Sequence, residues 1–140
     1  MSERDEVLRL VRQWVLRAEE DLLTAQHTLT LAENCPFSTV CFHSQQCTEK
    51  YLNGVLTFLV EDFPRTHDLM ELLRRVPPSA GLQLTVADLG SLNRYAVETR
   101  YPGDWEPITR TEAEDAVACA HDVRSAVRAL LPRAVLEPDG

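Results

Sequence analysis

Apolar residues in this chain recur at steps of three and four, and prolines cut that recurrence into segments. Val7, Val11, Trp14, Ala18, Leu22, Ala25 and Leu29 line one face of a helix from about Asp5 to Glu33. Asn34-Cys35-Pro36 breaks it, because a proline disfavours helical backbone at the residue before it. In a second helix Cys41, Thr48, Leu52, Val55, Leu59 and Phe63 share a face, and the pattern stops at Pro64. These two helices form an antiparallel hairpin. Thr66 can cap a short third helix with Leu69, Leu72, Leu73 and Val76 as its buried stripe. Its acidic residues Asp68 and Glu71 come early and Arg74 and Arg75 late, the order the helix dipole favours, and Pro77-Pro78 ends it. Leu89, Leu92, Ala96 and Thr99 predict a fourth helix, weakened by Gly90 and closed by Pro102-Gly103, with an irregular stretch from Tyr101 to Pro107. Thr109 with Glu112, or Thr111 with Glu114, is a capping-box pattern opening a fifth helix. Its core positions are Ala113, Val117, Ala120, Val123, Val127 and Leu130, and Pro132 stops it.

No alternating apolar run bounded by turn dipeptides supports a sheet, and no internal repeat or linker divides the chain. The expected fold is therefore all-α: an up-and-down bundle of four long helices plus one short one. It forms a single domain over residues 1–140, with 132–140 as a loose tail. A chain of 140 residues is long enough to enclose a core without disulfides or metal.

The longest apolar run, Val55 to Val60 with Thr57 inside it, falls far short of the roughly 20 residues that span a bilayer. The charged start Met1 to Glu6 lacks the apolar stretch of a secretory signal. A cytoplasmic protein without a membrane partner is expected. Cys35, Cys41, Cys47 and Cys119 form no CxxC pair and read as reduced, small apolar residues; neither they nor the histidines have zinc-type spacing, so no metal is expected. A net charge of −8 opposes non-specific attraction to nucleic acid, so any such role must be local.

Three motifs occur in order: Phe42-His43-Ser44-Gln45-Gln46-Cys47-Thr48-Glu49-Lys50, then Arg65-Thr66-His67-Asp68-Leu69, then Arg100-Tyr101-Pro102-Gly103, the last preceded by Asn93-Arg94-Tyr95. With the stretch Trp14 to Asp21, they resemble the HEPN (higher eukaryotes and prokaryotes nucleotide-binding) family from about residue 5 to residue 130. His43, Gln46 and Lys50 lie at steps of three and four and share a polar stripe, open either to a ligand or to solvent and neighbouring helices. Arg94, Glu98 and Tyr101 form a second ladder, with Arg100 about one residue off it. Arg94 with Glu98 can be a plain helical ion pair; alternatively Arg94 and Arg100 offer donor forks to phosphate oxygens and Tyr101 a stacking face. His67 can bridge a turn to backbone or serve as a ligand residue.

The resemblance implies that nuclease-active members carry an arginine and a later histidine with four to six residues between them. None of the four histidines here has an arginine at those distances, and Arg94 is followed six residues later by Arg100. Guanidinium does not exchange protons at neutral pH as imidazole does. GxxxxGK[ST], GxGxxG and GxSxG are also missing, so no cofactor and no catalytic residue is assigned. The resemblance then implies a non-catalytic, homodimeric module that binds a nucleotide or partners a minimal nucleotidyltransferase in a toxin–antitoxin-like setting. Its candidate ligand residues are His43, Gln46, Lys50, His67, Arg94, Glu98, Arg100 and Tyr101. The alternatives are a metal-independent RNase toxin with an altered active site and a purely structural interaction domain.

Overall fold

A computed structural model describes residues 1–89, 91–96 and 106–137. Every regular element among them is helical: α1 (Glu3–Leu29), α2 (Phe37–Phe58), α3 (Leu69–Arg74), α4 (Val86–Leu89) and α5 (Arg110–Leu130), joined by short 3-10 turns. Packing centres on α2, which lies against α1 along one side and α5 along another.

The first helix begins two residues before Asp5 because Ser2 closes a capping box. Its hydroxyl accepts from the Asp5 amide at 3.0 Å while the Asp5 carboxylate accepts from the Ser2 amide at 3.2 Å. Val11, Val15, Ala18, Leu22 and Ala25 form the buried stripe. The helix stops at Leu29, four residues short of Glu33. Arg110, the first residue of α5, takes its end: the guanidinium donates to the carbonyls of Leu29 at 3.1 Å and Leu31 at 2.7 Å, and stacks on Phe37. Asn34, at φ 56°, then turns the chain into α2.

The second helix also ends before its expected stop. Leu59 caps it, the Glu61 amide bonds back to the Leu56 carbonyl at 2.9 Å, and the Val60 amide to that of Thr57 at 3.1 Å. These two bonds satisfy carbonyls of the last turn and require a left-handed residue between them. That residue is Val60, at φ 56°. Leu59 and Phe63 pack on the core from outside the helix rather than on its face. Gly54 lets α1 approach closely, since a Cβ there would lie 3.3 Å from the Trp14 Cβ.

The cap of α3 is Asp68 rather than Thr66. Its carboxylate accepts from the amides of Met70 (3.0 Å) and Glu71 (3.4 Å), while Thr66 accepts from the Asp68 amide one step earlier. The fourth helix is much shorter than expected. Within the described residues it is one turn, Val86–Leu89, followed by a 3-10 turn at Leu92–Tyr95. Leu89 and Leu92 are buried as the spacing predicts, but on the tighter coil Tyr95 is buried in place of the expected Ala96, which is only partly covered. Gly90, Thr99 and Pro102-Gly103 lie outside the described residues.

Thr109, not Thr111, caps α5, its hydroxyl accepting from the Glu112 amide at 3.1 Å. Ala113, Val117, Ala120, Val123 and Val127 are buried as the spacing predicts, and Ala116 joins them. Beyond Pro132, where a loose tail was expected, Arg133–Val135 make a 3-10 turn and Val135 is buried. The Arg12 guanidinium donates to the Ala134 carbonyl at 2.7 Å and that of Arg128 to the Leu136 carbonyl at 3.4 Å.

Val60 is β-branched and 74% exposed, so its left-handed backbone is compensated by little side-chain burial. Val60→Gly is expected to raise the unfolding free energy by about 1 kcal/mol, because the left-handed cost of an L-residue disappears. Urea titration measures this, and an unchanged or lowered midpoint would contradict the account.

Candidate functional site

The strongest polar feature of the bundle is a carboxylate placed where the helix pattern calls for an apolar residue. Asp21 sits three residues after Ala18 and four before Ala25, and it is buried between α1 and α2. Both oxygens are occupied. His43 Nδ1 donates to Oδ1 at 2.8 Å, and the Lys50 ammonium pairs with Oδ2. The imidazole and the ammonium are each about one-quarter exposed (26% and 24%), so the group opens to solvent on their side. The Phe42 ring meets the His43 ring edge-on at 5.4 Å between centroids.

One step round α2 lies a second buried carboxylate, Glu49, whose Oε1 accepts from His67 Nδ1 at 2.7 Å. Gln45, fully buried, donates to the His67 carbonyl at 3.1 Å and to Glu49 Oε1 at 3.4 Å, and accepts from Gln46 Nε2 at 2.7 Å. His67 therefore does not bridge a turn to nearby backbone. It ties the loop before α3 to α2, leaving much of its ring exposed. From there Asn93 continues the network, accepting from the Leu69 amide at 2.8 Å and donating to Asp68 at 3.1 Å. Burial raises the Asp68 carboxyl, but the Asn93 hydrogen bond and the amides of Glu71 and Met70 outweigh it and hold the group below its ordinary value.

The candidates thus fall into two connected sets. His43 and Lys50 meet through Asp21; Gln46 and His67 meet through Gln45 and Glu49. Arg94 lies on the 3-10 turn after Asn93, its guanidinium 5.3 Å from the Tyr95 ring centroid, and the Tyr95 hydroxyl donates to Glu112 at 3.1 Å. Glu98, Arg100 and Tyr101 lie outside the described residues.

Asp21, Gln45, Glu49 and Asn93 were not among the sequence candidates, although they hold the others in place. Asp21 and Gln45 carried a usable signal: a polar residue in the register of an apolar stripe demands a partner. Finding that partner needs the register of α1 against α2, which spacing along one chain does not supply.

A separate clamp joins α1 to α5. Arg124 Nε donates to Glu19 at 2.8 Å, and Arg128 Nη1 to the same carboxylate at 3.0 Å. Burial, followed by the Glu19 carboxylate, raises the pKa of the enclosed Tyr51 phenol. Burial likewise raises the Cys47 thiol, with Glu19 and Asp21 adding to it, and pushes Cys119 up to about 11, so neither is a thiolate at neutral pH. No disulfide joins the four cysteines. Among the described residues no group of three or more His, Cys, Asp or Glu side chains is arranged to hold a metal ion, and no helix is long and apolar enough to cross a membrane.

A helical bundle whose first two helices carry the Trp14 to Asp21 stretch and the Phe42 to Lys50 motif, with the second helix's histidine and lysine tied to the first, defines the class. The HEPN domain model matches residues 11–130, and the chain belongs to that family. It is 28% identical over 136 residues to the Methanocaldococcus jannaschii protein named "Putative toxin MJ1304", covering 88% of this chain and 87% of the other. The crystal structure of ST0689, an archaeal HEPN homologue, is similar with a TM-score of 0.65 and 28% identity, over 85% of this chain and 95% of that one.

Removing the Asp21 carboxylate leaves Lys50 and His43 without their acceptor. Asp21→Ala is expected to cost about 1–3 kcal/mol, below the range for a fully buried pair because both partners reach solvent. Lys50→Met, which leaves the carboxylate bonded to His43 alone, is expected to cost less than Asp21→Ala. Chemical denaturation of the two variants checks the order, and the reverse order would contradict it.

Proposed function

We propose that this protein is a non-catalytic HEPN module, homodimeric, that binds a nucleotide or serves a minimal nucleotidyltransferase in a toxin–antitoxin-like pair. The carrying observation concerns its histidines. None follows an arginine at the nuclease spacing, and His43, His67 and His121 are engaged within the chain by Asp21, Glu49 and Gln26. Such imidazoles join helices to one another. The name of the M. jannaschii relative supports the toxin–antitoxin setting. The expected cytoplasmic location belongs to the same reading.

An RNase with an altered active site is the second reading, and one feature favours it. Asp21 holds His43 by Nδ1, which directs Nε2 away from the carboxylate, the orientation a general base requires.

The two separate on incubation with total RNA at equimolar protein. The RNA is expected to remain intact, and light scattering is expected to give twice the chain mass. Cleavage that Arg94→Ala or His43→Gln abolishes would overturn the non-catalytic reading. A purely structural domain is set apart by calorimetry against ATP and AMP, in which binding heat is expected.

A further inference from the structure

The first helix is apolar on two sides. Its buried stripe, Val11 to Ala25, faces inward, where the helix packs against α2, α5 and the 3-10 turn Arg133–Val135. On the outward side Leu16 and Leu23, two turns apart in mid-helix, are 57% and 66% exposed. Leu10 lies exposed toward one end of the same helix and Leu31 just past the other. Of the seven large apolar side chains exposed among the described residues, these are four. Single exposed leucines are ordinary on a protein surface, whereas a row of them along one helix marks an interaction face.

The charges around that row indicate its occupant. Beyond the first turn, the exposed charged side chains of α1 and its exit are Arg9 and Arg17 in the first half and Glu20 and Glu33 in the second. The face is basic toward one end and acidic toward the other. Its internal pairs, Arg9 with Glu6 and Arg17 with Glu20, join exposed groups three residues apart and contribute little, so they yield readily to charges of a neighbour. A face divided in this way complements itself when turned end for end, which is the arrangement a two-fold axis imposes. Parallel pairing would instead set Arg9 on Arg9 and Glu33 on Glu33.

We infer that two copies of the chain pair through α1, antiparallel, about a two-fold axis beside Glu20. Leu16 and Leu10 of one copy then meet the partner's Leu23 and Leu31, and Arg9 and Arg17 lie against the partner's Glu33 and Glu20. The two Glu20 carboxylates approach each other at the axis, flanked by both Arg17 guanidiniums. The inference rests on the homodimeric reading above and gives that dimer its face. The turn bearing Arg94 packs on α2 and α3 and takes no part in it.

Sedimentation equilibrium over a concentration series tests it. Leu23→Glu is expected to weaken self-association at least tenfold and Arg17→Glu several-fold, with circular dichroism unchanged because both positions are exposed. Val86→Glu, at a comparably exposed apolar residue on α4, is expected to leave association as it was. Should Leu23→Glu fail to fold, Arg17→Glu decides. Under a mild oxidant Glu20→Cys is expected to form a covalent dimer that Gln13→Cys and the unsubstituted chain do not, because only position 20 meets its own copy at the axis. Cross-linking at both positions overturns the antiparallel arrangement. A dimer indifferent to Leu23→Glu and Arg17→Glu overturns the α1 face and leaves the homodimeric reading standing. A monomer at every concentration overturns both.

Discussion

Two ionised groups meeting inside a helical hairpin fix its register. A carboxylate removed from water is tolerated only with its oxygens occupied, and Asp21 finds both partners on α2, two turns apart. Sliding α1 past α2 by one turn would strand the carboxylate on one helix and the ammonium on the other. Apolar stripes alone permit such slippage, because one Leu or Val contact substitutes for another at small cost. The ion pair with its imidazole removes that freedom, and the close approach at Gly54 fixes the spacing at the same interface.

Glu49 acts for the third helix as Asp21 does for the first. Through His67 and Gln45 it holds the loop preceding α3, and Asp68 and Asn93 carry the connection to the 3-10 turn bearing Arg94. The polar residues of α2 consequently form two hydrogen-bonded sets, one tied to α1 and the other to the loop before α3 and the turn beyond it. On the far side, Glu19 with Arg124 and Arg128 joins α1 to α5 by charge-assisted bonds. The core between them is plain aliphatic packing of Val11, Leu22, Leu52, Leu56 and Val123.

Much of this was legible in the sequence. Helical periodicity located the three long helices, Pro36 marked the start of the second and Thr109 and Pro132 the two ends of the last, and the motifs pointed to the family. Three kinds of detail were not legible. Helix ends set by backbone closure, as at Val60, leave no required residue type when a valine accepts the left-handed position. The short fourth helix kept its apolar spacing at Leu89 and Leu92 while the coil tightened, and spacing of a few residues does not separate an α-turn from a 3-10 turn. The supporting carboxylates were not legible as such, since their partners lie 18 to 29 positions away. Candidate residues carry chemical type on their face; the residues that aim them are identified by contact.

The rarity of lysine has a practical corollary. Lys50 is the single lysine of these 140 residues, so an amine-directed acylating reagent has one side-chain target among them. That target is held in an ion pair at the α1–α2 interface. Its rate of acylation would therefore report, without any engineered label, whether the first two helices are seated against each other.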